Sequence, residues 1–227
     1  MKNVILATTL ALSVSSALAA EPTAVLKVKG TLTNAACTPE LSNGGVVDYG
    51  FIRLGELSAS ANNQLGQKNI DLKINCTAAT KVSWNMVDDR ASSRAGITVD
   101  NALFTGGSVT PASASQIYGV GKTAGDVNIG NYAMFVKLDS VTADGNAVDA
   151  VYQQNGSTTW IKSTNGSTQG DNYRDFTVAA MGSLEPLAFQ TATFPMVTSL
   201  AIRDTTTLAI TDDTPLDGQL TISLKYL

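Results

Sequence analysis

The C-terminal run Gly218-Gln219-Leu220-Thr221-Ile222-Ser223-Leu224-Lys225-Tyr226-Leu227 alternates apolar and polar side chains almost without a break. A period of two marks an extended strand with one buried face, because successive side chains point to opposite sides. Leu220, Ile222, Leu224 and Tyr226 make the apolar row, and Gly218 opens it. A terminal strand of this kind is a natural handle for a partner that adds a strand of its own.

The same alternation recurs upstream. The run 25–33 places Leu26, Val28, Gly30 and Leu32 on one face and Lys27, Lys29 and Thr31 on the other. Gly30 sits on the apolar face, where a missing side chain lets another backbone come close. Further strands are expected at 46–54, 69–76, 81–87, 96–104, 116–120, 131–138, 175–180, 193–202, 206–211 and 219–227. The stretch 140–172 is rich in Gly, Asn, Ser and Thr. It reads as an elaborated loop region in which 148–153 and 158–162 are hairpin strands. Charged residues make up only 15% of the chain, and long runs at helical spacing are missing. The expected fold class is all-β, a sandwich or barrel, in one domain over 20–227.

The N-terminus reads as an export signal. Lys2 gives a positive start, residues 4–12 form a short apolar stretch, and Ala17-Leu18-Ala19 is a small-x-small cleavage pattern. Residues 1–19 are therefore expected to be removed; cleavage after Ala20 is the alternative and would put Leu18 where a small residue is preferred. No stretch reaches the roughly 18 unbroken apolar residues of a membrane-spanning helix. The formal net charge is −4, and the leader carries only Lys2. No basic patch is present to hold nucleic acid or an anionic membrane, so neither is expected as a partner.

Cys37 and Cys76 are the only cysteines, and both lie beyond the leader. In an exported chain an even pair is most simply a disulfide. Closing a loop of about 40 residues stabilises a fold by roughly 4 kcal/mol in the chain-entropy account. A redox or metal role has no support: there is no C-x-x-C, and the chain has no histidine.

The inventory for catalysis is poor. Without histidine the usual nucleophile–base arrangements and most zinc and copper sites are excluded. Asp88-Asp89 is read as a solvated loop pair. The acidic turn 212–218 could collect calcium through oxygen ligands, but Asp, Pro and Gly are also what a hairpin turn uses. Gly119-Val120-Gly121 is too short a signal for phosphate binding. The Asn155 and Asn165 triplets are formal glycosylation sequons and are read as turns. Trp84 is expected in the core. Trp160 is weighed as a sugar-stacking platform against an aromatic that closes the end of a sandwich. No enzyme, cofactor or metal is expected.

The segment Leu26-Lys27-Val28-Lys29-Gly30-Thr31-Leu32-Thr33-Asn34-Ala35-Ala36-Cys37 resembles the first strand of chaperone–usher fimbrial subunits. Val46-Val47-Asp48-Tyr49-Gly50 is similar to that family's next strand, and 70–76 to the strand bearing its second cysteine. Gly218 followed by an apolar alternation and a penultimate Tyr226 is similar to its C-terminal signature. The middle, with Tyr118-Gly119-Val120-Gly121 and Ile129-Gly130-Asn131-Tyr132, looks more like fimbria-like exported proteins of unassigned function. The resemblance implies an immunoglobulin-like, pilin-type β-sandwich that is incomplete and is filled by a donor strand. It implies a structural subunit or minor pilin of a surface fimbrium, carried through the periplasm to the cell surface, with a role in adhesion. The implied partners are a periplasmic chaperone, an outer-membrane usher and neighbouring fimbrial subunits, with a host or surface glycan as a further ligand. Gly218, Leu220, Ile222, Leu224 and Tyr226 would line the groove for chaperone or donor strand. Only residues 20–25 precede the first matched strand, which is short for a donor extension, so either Leu26, Val28, Gly30 and Leu32 are themselves the candidate donor segment or polymerisation is impaired. The competing expectation is a self-contained secreted carbohydrate-binding module.

Overall fold

The computed structural model describes residues 26–30 and 36–227. The chain divides into two units, Met1–Thr33 and Asn34–Leu227. In the first, residues 26–30 form no helix or strand and all five are exposed. The strand expected over 25–33 is therefore absent from its described part. The export signal and Leu32 lie outside the described residues.

The second unit is a β-sandwich of two antiparallel sheets. Its strands in chain order are β1 (Cys37–Leu41), β2 (Asn63–Thr80), β3 (Val82–Asp88), β4 (Tyr118–Gly119), β5 (Gly130–Val136), β6 (Thr142–Ala143) and β7 (Asn146–Ala147). Then follow β8 (Asp149–Gln154), β9 (Ile161–Lys162), β10 (Arg174–Ala179), β11 (Phe189–Ile202) and β12 (Leu220–Tyr226). One sheet runs β1-β2-β11-β5-β4, with β6 joined to β11 and β7 to β6. The other runs β12-β3-β10-β8-β9.

Parity along the strands builds the core. Ile70, Leu72 and Ile74 of β2 and Phe194 and Met196 of β11 face Trp84, Met86, Phe176 and Val178 across the sandwich. Trp84 joins the two layers: its ring stacks on Phe176 at 5.2 Å and meets Phe194 edge-on at 5.5 Å. Such aromatic pairs add about 0.5–1.5 kcal/mol each beyond the area they bury. The odd face of β11 and β5, with Phe135, Val197 and Ala201, is covered by Ile97, Val99, Val109 and Ile117 in a second apolar cluster. This is why 197–202 is buried on both faces.

Three further expected strands, 46–54, 96–104 and 206–211, are not strands. Residues 46–53 are irregular: Gly50 sits at φ +69°, outside the extended region. Residues 96–104 contribute only a single bridge, Val99 to Val109, with Gly96 at φ +65° and Asn101 at +49°. At 206–211 the structure has a short helix, α1 (Thr205–Leu208). Asp204 caps it, its carboxylate accepting from the Thr207 N–H at 2.8 Å and the Thr207 hydroxyl at 2.7 Å. The stretch 140–172 is less loop-like than its composition implies, because β8 is an interior strand of its sheet. Asn155-Gly156 does form a turn and Asn165 lies in a bend, with Gly156 and Gly166 both at positive φ.

Candidate functional site

Cys37 and Cys76 form a disulfide across the β1–β2 ladder, where they are register partners. β1 is the edge of its sheet and β12 the edge of the other. The two edges meet where the Cys37 N–H donates to the Tyr226 hydroxyl at 2.9 Å. Towards the other end of β12 the layers are parted by an apolar groove.

β12 pairs in full register with β3, from Leu220 opposite Asp88 to Tyr226 opposite Val82. Among the described residues its outer edge pairs with no strand. Leu220, Ile222 and Leu224 point at the core yet are only half-buried, and Tyr226 is exposed. In a closed sandwich an inward row of this kind would be covered. Here Leu220 and Ile222 border a cavity of about 790 Å³, whereas Leu224 and Tyr226, expected to line the groove as well, are not among its lining residues. Ile70, Met134, Leu200 and Ile202 form its floor; Leu220 and Ile222 form one wall. A shallower cleft of about 390 Å³ shares Leu41, Gly45 and Ile222 with it and continues along β1.

The opposite wall is the segment 46–57, irregular over 46–53 and a 3-10 turn at Leu54–Glu56, of which 46–54 was expected to be a strand. It brings Val47, Tyr49, Ile52 and Leu57 to the groove and leaves Phe51 fully exposed. Adjacent apolar pairs, Val46-Val47 and Phe51-Ile52, were the signal that it lacks one strict strand face. Its side-chain anchor is Tyr49, whose hydroxyl shares its proton between the Thr198 and Gly66 carbonyls at 3.2 and 3.3 Å. Burial pushes the Tyr49 phenol up from its ordinary pKa. The Lys68 ammonium lies 5.3 Å from the same ring.

The end wall was also missed. Residues 212–216 line the groove with Asp212, Asp213, Pro215 and Leu216. Sequence reasoning treated them as a turn or a cation site. Among the described residues, no cluster of acids has the arrangement of a metal site.

A polar frame holds the start of β12. Asp88, read from sequence as solvated, is the last residue of β3 and its side chain is fully buried. It is taken inside because Arg94 pairs with it at 2.8 Å and the Arg90 and Gly119 N–H groups donate to it at 3.0 and 3.2 Å. Arg94 also reaches Asp171 at 3.0 Å. Asp89 is the solvated member, accepting from the Thr221 hydroxyl at 2.8 Å. Arg90 grips Asp217 at 2.8 Å and holds its carboxyl below the usual range. Gly119 must be glycine, since a Cβ there would strike the Arg90 carbonyl.

Of the other candidates, Gly218 lines the groove beside the Tyr132 ring. Leu26 and Val28 are 88% and 90% exposed. Trp84 is buried in the core, and Trp160 is half-buried outside any strand.

The family model described as Protein of unknown function (DUF1120) matches residues 26–133. The match spans the 26–32 segment, the disulfide and the 46–57 wall, and stops before β12. The chain is 31% identical to Protein GltF of Escherichia coli (strain K12), an alignment that takes in 96% of this chain and 94% of that one. It is 30% identical to the Uncharacterized protein YhcF of the same strain, over 89% of this chain and 90% of the relative.

Proposed function

Since this chain belongs to one family with GltF and YhcF, we propose for it the role that its open groove fits best. It is a structural subunit or minor pilin of a chaperone–usher surface fimbrium, exported through the periplasm and completed by a donated strand. One observation carries the reading. The inward row Leu220, Ile222 and Leu224 is half-covered, beside an apolar groove and an edge with no strand partner among the described residues. An added strand would satisfy the free N–H and C=O groups of β12 and cover its apolar row in one step. Burying such a side chain completely from water is worth roughly 1.5–3 kcal/mol, and covering the half still open would supply part of that. The chaperone would lend a strand first, and a neighbouring subunit would replace it; adhesion would be a property of the assembled fibre.

Co-expression with a cognate periplasmic chaperone, followed by pull-down, tests this. Ile222→Asp should abolish capture and accumulation in the periplasm. Ser223→Asn, on the solvent face, should leave both unchanged. A wild-type chain recovered as a stable, fully folded monomer with no chaperone would overturn the proposal.

A further inference from the structure

We propose that Lys225 and Asn85 are a self-modification site. The Lys225 amine and the Asn85 side-chain amide condense into an isopeptide bond that fastens β12 to β3, and Asp175 carries protons between them. None of the three residues lines the groove.

Strand register brings the three side chains together. Asn85 of β3 lies opposite Ser223 of β12, and Lys225 lies opposite Ser83. By the two-residue period Lys225 shares the face of Ser223 and is the diagonal neighbour of Asn85, within reach of a long side chain. On the other side of β3, Phe176 of β10 pairs with Trp84, so Asp175 lies beside Asn85. The Asp175 carboxylate then joins the two nitrogens, one to each oxygen. Oδ1 accepts from the Asn85 amide at 2.9 Å, and Oδ2 from the Lys225 ammonium at 2.9 Å. The Asp175 side chain is only 10% exposed, whereas that of Lys225 is 54% exposed. The buried carboxylate holds both nitrogens in place, and the open side of Lys225 gives protons and the departing group a way to water.

A lysine attacks as the neutral amine, and an adjacent base makes it one. Asp175 Oδ2 takes a proton from Nζ. The Nζ lone pair attacks Cγ of Asn85, the Nζ–Cγ bond forms, and the Cγ–Nδ2 bond breaks as the tetrahedral centre collapses. Of the three ammonium protons, one stays on the new amide nitrogen. The other two pass by way of Asp175 and water to Nδ2, which departs as ammonium. Asp175 ends as the carboxylate it began as, so the step consumes no co-reactant. The product matters because β12 is an edge strand, joined to its sheet through β3 alone. A covalent tie near the end of β12 would stop that strand peeling away.

The test incubates the folded chain from residue 20 onwards at neutral to mildly alkaline pH and follows it by intact-mass spectrometry and peptide mapping. The polypeptide should lose the mass of one ammonia, faster as pH rises and more of the amine is neutral. Digestion should yield a branched fragment that joins the Lys225 peptide to the Asn85 peptide. Lys225→Arg keeps a cation beside Asp175 but supplies no neutral amine, so its mass should stay unchanged. Asp175→Ala, checked for folding by circular dichroism, should slow the loss about a hundredfold. Wild-type protein of unchanged mass, with the Lys225 and Asn85 peptides recovered separately at every pH, would overturn the proposal. A loss of ammonia that persists in Lys225→Arg would also overturn it, since the loss would then come from an asparagine cyclising on its own backbone.

Discussion

The backbone N–H of Cys37 donates to the hydroxyl of Tyr226 at 2.9 Å, tying the first strand of one sheet to the last strand of the other. Cys37 is already bound to Cys76 of β2, so the bond links β12 to the stapled edge. The groove opens towards the far end of β12, where the Asp217 N–H donates to the Val120 carbonyl at 2.9 Å. Tyr226→Phe should remove one hydrogen bond at a partly exposed site. Urea unfolding of the oxidised protein should show a loss of about 0.5–1.5 kcal/mol.

The disulfide closes a loop with a sequence separation of 39. Replacing both cysteines by serine should cost roughly 4 kcal/mol, through a less constrained unfolded chain. The expected readout is a lower denaturation midpoint, with peptide mapping of the unreduced wild type recovering Cys37 and Cys76 in one linked fragment.

Asp88 and Arg94 should behave as a buried pair. Removing Arg94 leaves a carboxylate with 0% side-chain exposure facing only backbone donors. Arg94→Ala should therefore destabilise the fold by about 3–5 kcal/mol, and Arg94→Ala/Asp88→Ala by clearly less. A double-mutant cycle by chemical denaturation measures this; equal costs for the single and double variants would contradict it.

High pH should weaken the fold through its buried phenols. Thr168 donates to the Met134 carbonyl at 2.6 Å, so the Tyr118 hydroxyl is the donor in its 2.6 Å bond to Thr168. Burial holds the Tyr118 phenol, and likewise Tyr132, well above the ordinary pKa of 10.0. A group whose folded pKa is raised keeps its proton longer in the folded state. Its stabilisation is complete below pH 10 and is lost as pH climbs towards the folded value. Stability measured from pH 9 upward should fall, and Tyr118→Phe and Tyr132→Phe should each flatten that fall.

Ile222→Asp should be the most damaging single change on β12. Its side chain packs on the core and lines both clefts. Aspartate there places a charge on an apolar wall of a groove whose lining already includes Asp48, Asp212 and Asp213. Loss of folded yield against an unaffected Ser223→Asn control is the expected result.

How much of this was readable from the residues depends on the kind of information a period carries. Period two assigned faces correctly along β2, β3 and β12, and placed Trp84 inside. Periodicity does not say whether a segment finds a partner for its backbone. Residues 46–54 are as apolar as a strand, yet Gly50 breaks the extended path and they become a groove wall. Asp204 as a helix cap was overlooked at 206–211, where a few apolar positions suit either structure.

From the sequence alone came the all-β class, the cysteine pair and the apolar row Leu220, Ile222, Leu224 and Tyr226. These are local: each follows from side-chain parity or from residue inventory. Only the tertiary structure decided that Leu220 and Ile222 of this row border an open groove, that Asp88 is buried against Arg94, and that Asp48, Asp212 and Asp213 line the same groove. Those facts join residues far apart in the chain. They depend on which strands pair and which edges stay free, and side-chain order along a single strand does not encode that.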